Sequence, residues 1–177
     1  MAGGSDEDAI ARIQAAIADA VAQLSTADAR REALAELIPA RRSFLIRREP
    51  VLRRVGAVWR LGVFLLEPGG ALRATGTLIG ATPPGRPQNL SRSVEDRRSL
   101  RAAARRGGFR DGETVNFDAA RIPLDAALLR DADGPLFLRD GHALVRWSAA
   151  AGDAGARPFA DYLSERVDLL APPPEGA

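Results

Sequence analysis

The run VWRLGVFLLEPGGALRATGTLI, Val58 to Ile79, decides the fold class. It reads as one antiparallel hairpin closed by Glu67-Pro68-Gly69-Gly70, because a proline followed by two glycines is turn chemistry between two apolar runs. With Leu66 set opposite Ala71, the inward pairs are Leu65 with Leu72, Val63 with Ala74, Leu61 with Gly76 and Trp59 with Leu78. All are apolar. Side chains alternate with period two, so the other face carries Phe64 opposite Arg73, Gly62 opposite Thr75 and Arg60 opposite Thr77. A slip of one residue places Arg73 and Thr75 among the apolar set, which is why the pattern favours this register. In it, Phe64 and Arg73 form a cation–π pair.

Working outward toward the N-terminus, apolar residues at Ile10, Ile13, Ile17, Ala20, Leu24, Ala27, Leu34 and Ile38 keep a 3,4 spacing. That spacing predicts helix from Ser5 to about Ile38. Unbroken, such a helix is about 50 Å long, more than a chain of this size covers. Ser25-Thr26-Ala27-Asp28 offers a fresh N-cap, so the expectation is a helical pair, or else a projecting helix that self-associates. Pro39 ends the element. Arg41 to Arg48 and Val51 to Val55 predict short strands broken at Pro50 and Gly56. Their adjacent arginines, 41/42, 47/48 and 53/54, face opposite ways in a strand.

Toward the C-terminus, Gly80 to Arg92 is a loop rich in proline, a length that is usually functional or disordered. Ser93 to Arg106 is a helix, with Ser93 as N-cap, acids in the first turn and arginines in the last. Thr114 to Phe117 is a short strand, and Leu136 to Trp147 a hairpin turned at Asp140-Gly141 with Ala143, Val145 and Trp147 inward. Pro158 to Leu170 is an amphipathic helix, and the tail from Ala171 to Ala177 is expected to be disordered. The sum is an α+β fold. It has an N-terminal helical pair packed with an antiparallel sheet of about five to seven strands, plus middle and C-terminal helices. Residues 1–40 form the helical region, 41–170 the α+β domain and 171–177 the tail.

Composition narrows the function. A chain of 177 residues buries roughly 70% of its unfolded surface and needs no staple. It has no cysteine, which removes disulfides, thiolate metal sites and thiol nucleophiles together. All 25 basic residues are arginine, a mark of a GC-rich genome. Residues 41–110 hold 16 arginines against 4 acids, while both flanks are net acidic. Such segregation suits either an acidic partner or acidic flanks folded onto a basic middle. The acidic N-terminus carries no apolar run, so the expectation is a cytoplasmic protein with no membrane contact.

Enzyme motifs are thin. His142 is the lone histidine and follows a turn, so it builds no multi-histidine metal site. No nucleophile elbow and no phosphate-binding glycine loop occurs. No cofactor and no metal is expected. The leading expectation is a non-catalytic binding module that presents Arg60, Arg73, Arg97, Arg101 and Arg105 with Phe64 and Thr77 to an acidic protein. Nucleic acid ranks behind protein because few aromatics interleave the arginines. Self-association through the N-terminal helices is a further expectation.

Several runs resemble a known set. Arg41-Arg42-Ser43-Phe44-Leu45, Trp59-Arg60-Leu61-Gly62-Val63, Ala74-Thr75-Gly76, Gly107-Gly108-Phe109, Leu138-Arg139-Asp140-Gly141, Val145-Arg146-Trp147-Ser148 and Tyr162 to Leu170 together resemble short proteins of high-GC bacteria. These are often catalogued under the name glutaminase. The resemblance implies amide hydrolysis, with Thr75 and His142 as its candidate catalytic residues. Serine-dependent glutaminases use Ser-x-x-Lys, which a chain without lysine does not have. Amidotransferase types use a cysteine, also absent. Thr75-Gly76-Thr77-Leu78-Ile79 partly echoes the Thr-Gly-Gly-Thr of threonine-type enzymes.

Overall fold

The computed structural model of the chain describes residues 5–43, 46–81, 92–148, 150 and 152–171. Most of the proline-rich loop after Gly80 and nearly all of the expected disordered tail, at 82–91 and 172–177, lie outside the described residues. The chain forms two compact units, each built from separated segments. The first takes the described residues of Met1–Arg31, Trp59–Thr75 and Ala120–Ala177; the second takes those of Glu32–Val58 and Gly76–Ala119.

In the first unit, helix α1 (Asp6–Thr26) starts where Ser5 closes a reciprocal cap. The Asp8 amide donates to Ser5 Oγ at 3.1 Å, and the Ser5 amide donates to Asp8 Oδ2 at 3.0 Å. Two orphan N–H groups of the first turn are thereby satisfied. The stripe Ala9, Ile13, Ile17, Ala20 and Leu24 is buried in this unit's own core. The helix stops at Ala27, and Asp28 turns the backbone left-handed at φ 44°.

No second helix follows. Residues Glu32–Ile38 form strand β1 of the second unit, which corrects the expected helical pair. Glu, Ala and Leu are good helix formers, but β1 is paired on both sides and buries Ala33, Leu34 and Ala35, so tertiary pairing overrides local preference. Two short strands, β2 (Arg41–Ser43) and β3 (Ile46–Arg48), pair antiparallel as a ribbon. Strand β4 (Val51–Leu61) then runs unbroken through Gly56, where a break was expected. The register shifts beside it: Leu34 pairs with Gly56 and Ala35 with Arg54, so Val55 of β4 is the extra, unpaired residue. Between Val58 and Trp59 the chain passes from the second unit into the first.

There the long hairpin gives way to a three-stranded meander. The chain turns at once, with Gly62 at φ 65°, into β5 (Phe64–Leu66), which pairs back on β4. The turn Glu67–Gly70 leads to β6 (Leu72–Ala74). Leu66 lies opposite Leu72, Leu65 opposite Arg73 and Phe64 opposite Ala74, one residue away from the expected register. Phe64, Leu65 and Leu66 are all buried, so the strand is covered on both faces and alternation carries no register signal. Arg73 is accommodated because its Nε donates to Glu67 Oε1 at 2.7 Å.

The first unit is completed by α3 (Ala126–Arg130), capped by Asp125, by β9 (Leu136–Arg139), β10 (His142–Val145) and β11 (Arg157–Pro158), and by α4 (Phe159–Leu170). The Asp140-Gly141 turn forms as expected, with Arg139 opposite His142. Trp147, expected inward, is 48% exposed and donates its indole N–H to Gly155 O at 2.8 Å. The stripe of α4, Phe159, Tyr162, Leu163 and Val167, packs with that of α1 on Trp59, Leu61, Phe64, Leu66 and Leu72.

The second unit adds β7 (Thr77–Gly80), α2 (Arg92–Arg106) and β8 (Thr114–Phe117). The expected N-cap Ser93 falls inside α2, one residue after its start. Strand β7 pairs with β8 rather than with Trp59 to Leu61, and β8 runs parallel to β1. Counted through β4, six strands are hydrogen-bonded in the order β6-β5-β4-β1-β8-β7, a mixed sheet and not the antiparallel one expected. The fold class is α+β. The second core gathers Leu52, Ile79, Ala103, Ala104, Phe109, Val115 and Phe117. A Cβ on Gly107 would stand 1.8 Å from Leu52 O, so only glycine lets the end of α2 come this close to β4.

Candidate functional site

That close approach positions the most basic feature of the second unit. The last residue of α2, Arg106, reaches over β4, and its Nε and Nη2 donate to Pro50 O at 2.9 and 2.7 Å. On β4 itself, Arg53 donates to Glu36 at 2.6 Å across the β1 pairing. Arg54 donates to Glu113 at 2.7 Å and lies over the Phe109 ring with its guanidinium carbon 4.5 Å from the ring centre. Desolvation raises the Glu113 carboxyl, but hydrogen bonds from Arg54 and the Arg110 amide outweigh it and hold the group below its ordinary value. Each of the three guanidiniums is thus fastened along part of its edge, which leaves donors of the five-donor fork for a ligand.

Arg41 and Arg48 complete the set. The β2–β3 ribbon places them directly opposite one another, and both are exposed. Together Arg41, Arg48, Arg53, Arg54 and Arg106 line an open cleft of about 900 Å³, with Glu36 and Glu49 as its acids and Ile38, Pro39 and Val51 as its apolar floor. Among the described residues no aromatic residue lines it. The arginines balance to an excess of positive charge at a concave surface, where the field is focused.

The residues singled out in the sequence are scattered relative to this cleft. Phe64 is fully buried, edge-on to Phe159 and Tyr162 with ring centres 5.7 and 5.9 Å away, so it is a core residue and presents no face to a partner. Arg60 is half-buried on β4 opposite Leu65, and Arg73 is half-buried against Glu67. Thr77 is exposed on β7. Arg97, Arg101 and Arg105 are exposed along α2, and Arg105 lies 4.0 Å from the Asp111 carboxylate. Thr75 follows β6, where its amide donates to Val63 O, while His142 opens β10. Among the described residues neither Thr75 nor His142 has a side-chain hydrogen bond.

The sequence does not mark the cleft arginines, because adjacent residues of a strand divide the pairs 41/42, 47/48 and 53/54 between its faces. The usable signal is the spacing of Arg41 and Arg48, which β2–β3 pairing sets across from one another. Among the described residues no three His, Asp or Glu side chains gather as metal ligands. Among them, too, no helix is long and apolar enough to cross a membrane. Comparison of the chain with family models, curated proteins and solved structures finds no match.

Proposed function

We propose that this protein is a non-catalytic binding module whose arginine-lined cleft takes an acidic segment of a partner protein. The observation that carries the reading is the cross-strand pair of Arg41 and Arg48. Like charges directly opposite destabilise a strand pair, and a carboxylate between them turns repulsion into two charge-assisted contacts. Arg53, Arg54 and Arg106 are already held in place, so little side-chain freedom is lost when they receive a ligand. The cleft volume falls in the range of ligand sites, about 300–1,000 Å³. Among the described residues its lining offers no ring on which a base would stack, which favours carboxylates of a protein over a single nucleic-acid strand. The exposed Arg97, Arg101 and Arg105 ridge of α2 is available as an outer contact.

The test is fluorescence anisotropy of a labelled oligoglutamate peptide, with a single-stranded oligonucleotide of equal charge beside it. Binding of the peptide is expected to weaken with salt, and about tenfold in an Arg41→Ala/Arg48→Ala double variant. The Arg97/Arg101/Arg105→Ala triple variant is expected to lose less. Unchanged binding in the double variant overturns the reading. Amide hydrolysis, implied by the resemblance to proteins labelled glutaminase, is the alternative. It is supported instead if the pure protein releases ammonia from glutamine and Thr75→Ala or His142→Ala abolishes the release.

A further inference from the structure

The first unit holds a pocket of its own, of about 350 Å³, at the Asp140-Gly141 turn. Both turn residues have left-handed backbones, φ 51° and 73°, the geometry of a two-residue hairpin turn. This geometry leaves the Gly141 carbonyl facing α1, where Arg12 Nη2 donates to it at 2.9 Å. Next to Arg12, the buried Ile13 and the buried first residue of α4, Phe159, form an apolar floor together with Ala143 and Leu144 of β10. His142 also lines the pocket and is exposed.

We propose that this pocket binds a small monocarboxylic acid with an apolar body. Among the described residues no lining residue is acidic, and Arg12 and His142 both line the pocket. Two carboxylates near these groups already have partners. Asp8, one turn before Arg12, accepts from the Ser5 amide; its carboxyl is held below its ordinary value first by Ser5 and, to a lesser degree, by the charge of Arg12. Asp153 holds Arg139, the residue opposite His142. Among the described residues Arg12 makes one hydrogen bond, so its remaining donors are open to the fork geometry that a carboxylate accepts. The body of the acid covers the part-exposed Ala143 and Leu144 with the exposed Pro158 and Ala160, and burial of that surface together with the acid's own supplies the affinity that a bare carboxylate lacks. The inference does not depend on the cleft of the second unit.

The test is an amide chemical-shift titration of the full chain with phenylacetate, and with phenylacetamide and acetate as probes lacking the charge or the body. Phenylacetate is expected to give saturable shifts at Ile13, Ala143 and Leu144, with phenylacetamide and acetate each about tenfold weaker. In Arg12→Gln the phenylacetate affinity is expected to fall about tenfold and that of phenylacetamide to stay as it was. Three outcomes overturn the proposal: equal affinity for acid and amide, no saturable shift, or shifts confined to the arginine-lined cleft. The acid-to-amide comparison on the unaltered chain decides alone if the variant spectrum shows a changed fold.

Discussion

The Tyr162 hydroxyl accepts the amide N–H of Val63 at 3.1 Å, joining α4 to the turn between β4 and β5. The tyrosine is 3% exposed and the hydrogen bond it makes is part-buried. Tyr162→Phe keeps the ring against Phe64 and removes only the acceptor. It is expected to lower stability by about 1–3 kcal/mol, measured by urea unfolding. A midpoint equal to that of the parent shows that the ring alone secures this contact.

Gly62 makes that hydrogen bond possible. A Cβ there would stand 2.0 Å from the same hydroxyl, and the backbone is left-handed. Gly62→Ala is expected to lose about 2–4 kcal/mol through clash and backbone strain together. In a Tyr162→Phe background the loss is expected to be smaller, because the atom in the way is gone. A double-mutant cycle that shows no coupling between the two positions refutes this explanation.

Acid sensitivity has a defined origin in the first unit. Hydrogen bonds from Arg146 and then Arg139 hold the Asp153 carboxyl down from 3.8 to about 2. A depressed folded-state value means that the proton binds the unfolded chain more readily. The contribution is therefore full above about pH 3.8 and disappears as pH falls through about 2. Asp153→Asn is expected to be less stable than the parent near neutrality, with the gap closing across that window. Urea midpoints measured from pH 5 to about 2 check it. A gap independent of pH refutes the role of the charge.

Arg48→Glu separates binding from stability in the second unit. It exchanges a like-charged cross-strand pair with Arg41 for an opposite one, worth about 0.2–1 kcal/mol in favour of the ribbon. It also removes positive charge from the cleft. The expected result is a protein at least as stable as the parent that binds oligoglutamate about tenfold more weakly. Joint loss of stability and binding indicates that Arg48 supports the fold rather than the ligand.

Local signals were legible where they were self-contained. The apolar spacing from Ile10 to Leu24 announces α1, Asp140-Gly141 announces its hairpin, and the stripe from Phe159 to Val167 announces α4. Partners distant in sequence erased the signal elsewhere. Glu32–Ile38 carries a helical spacing, yet pairing with β4 and β8 makes it a central strand. Leu61 to Leu66 is apolar on both faces, so its pattern fits two registers, and the decision falls to Gly62 and a tyrosine 100 positions later. The exposed arginines of α2 could be read from period alone. The cleft could not, because Arg106 joins Arg53 and Arg54 only through the close approach of Gly107 to Leu52.

The chain visits each core more than once, and this bears on how such a molecule can change over generations. The first unit is assembled from three stretches of the chain and the second from two, with β4 belonging to both. Neither can be gained, lost or exchanged by a single recombination event, since any one crossover point inside the described residues splits at least one of them. The two cores are inherited as a pair, and insertions that leave both intact are confined to the surface turns.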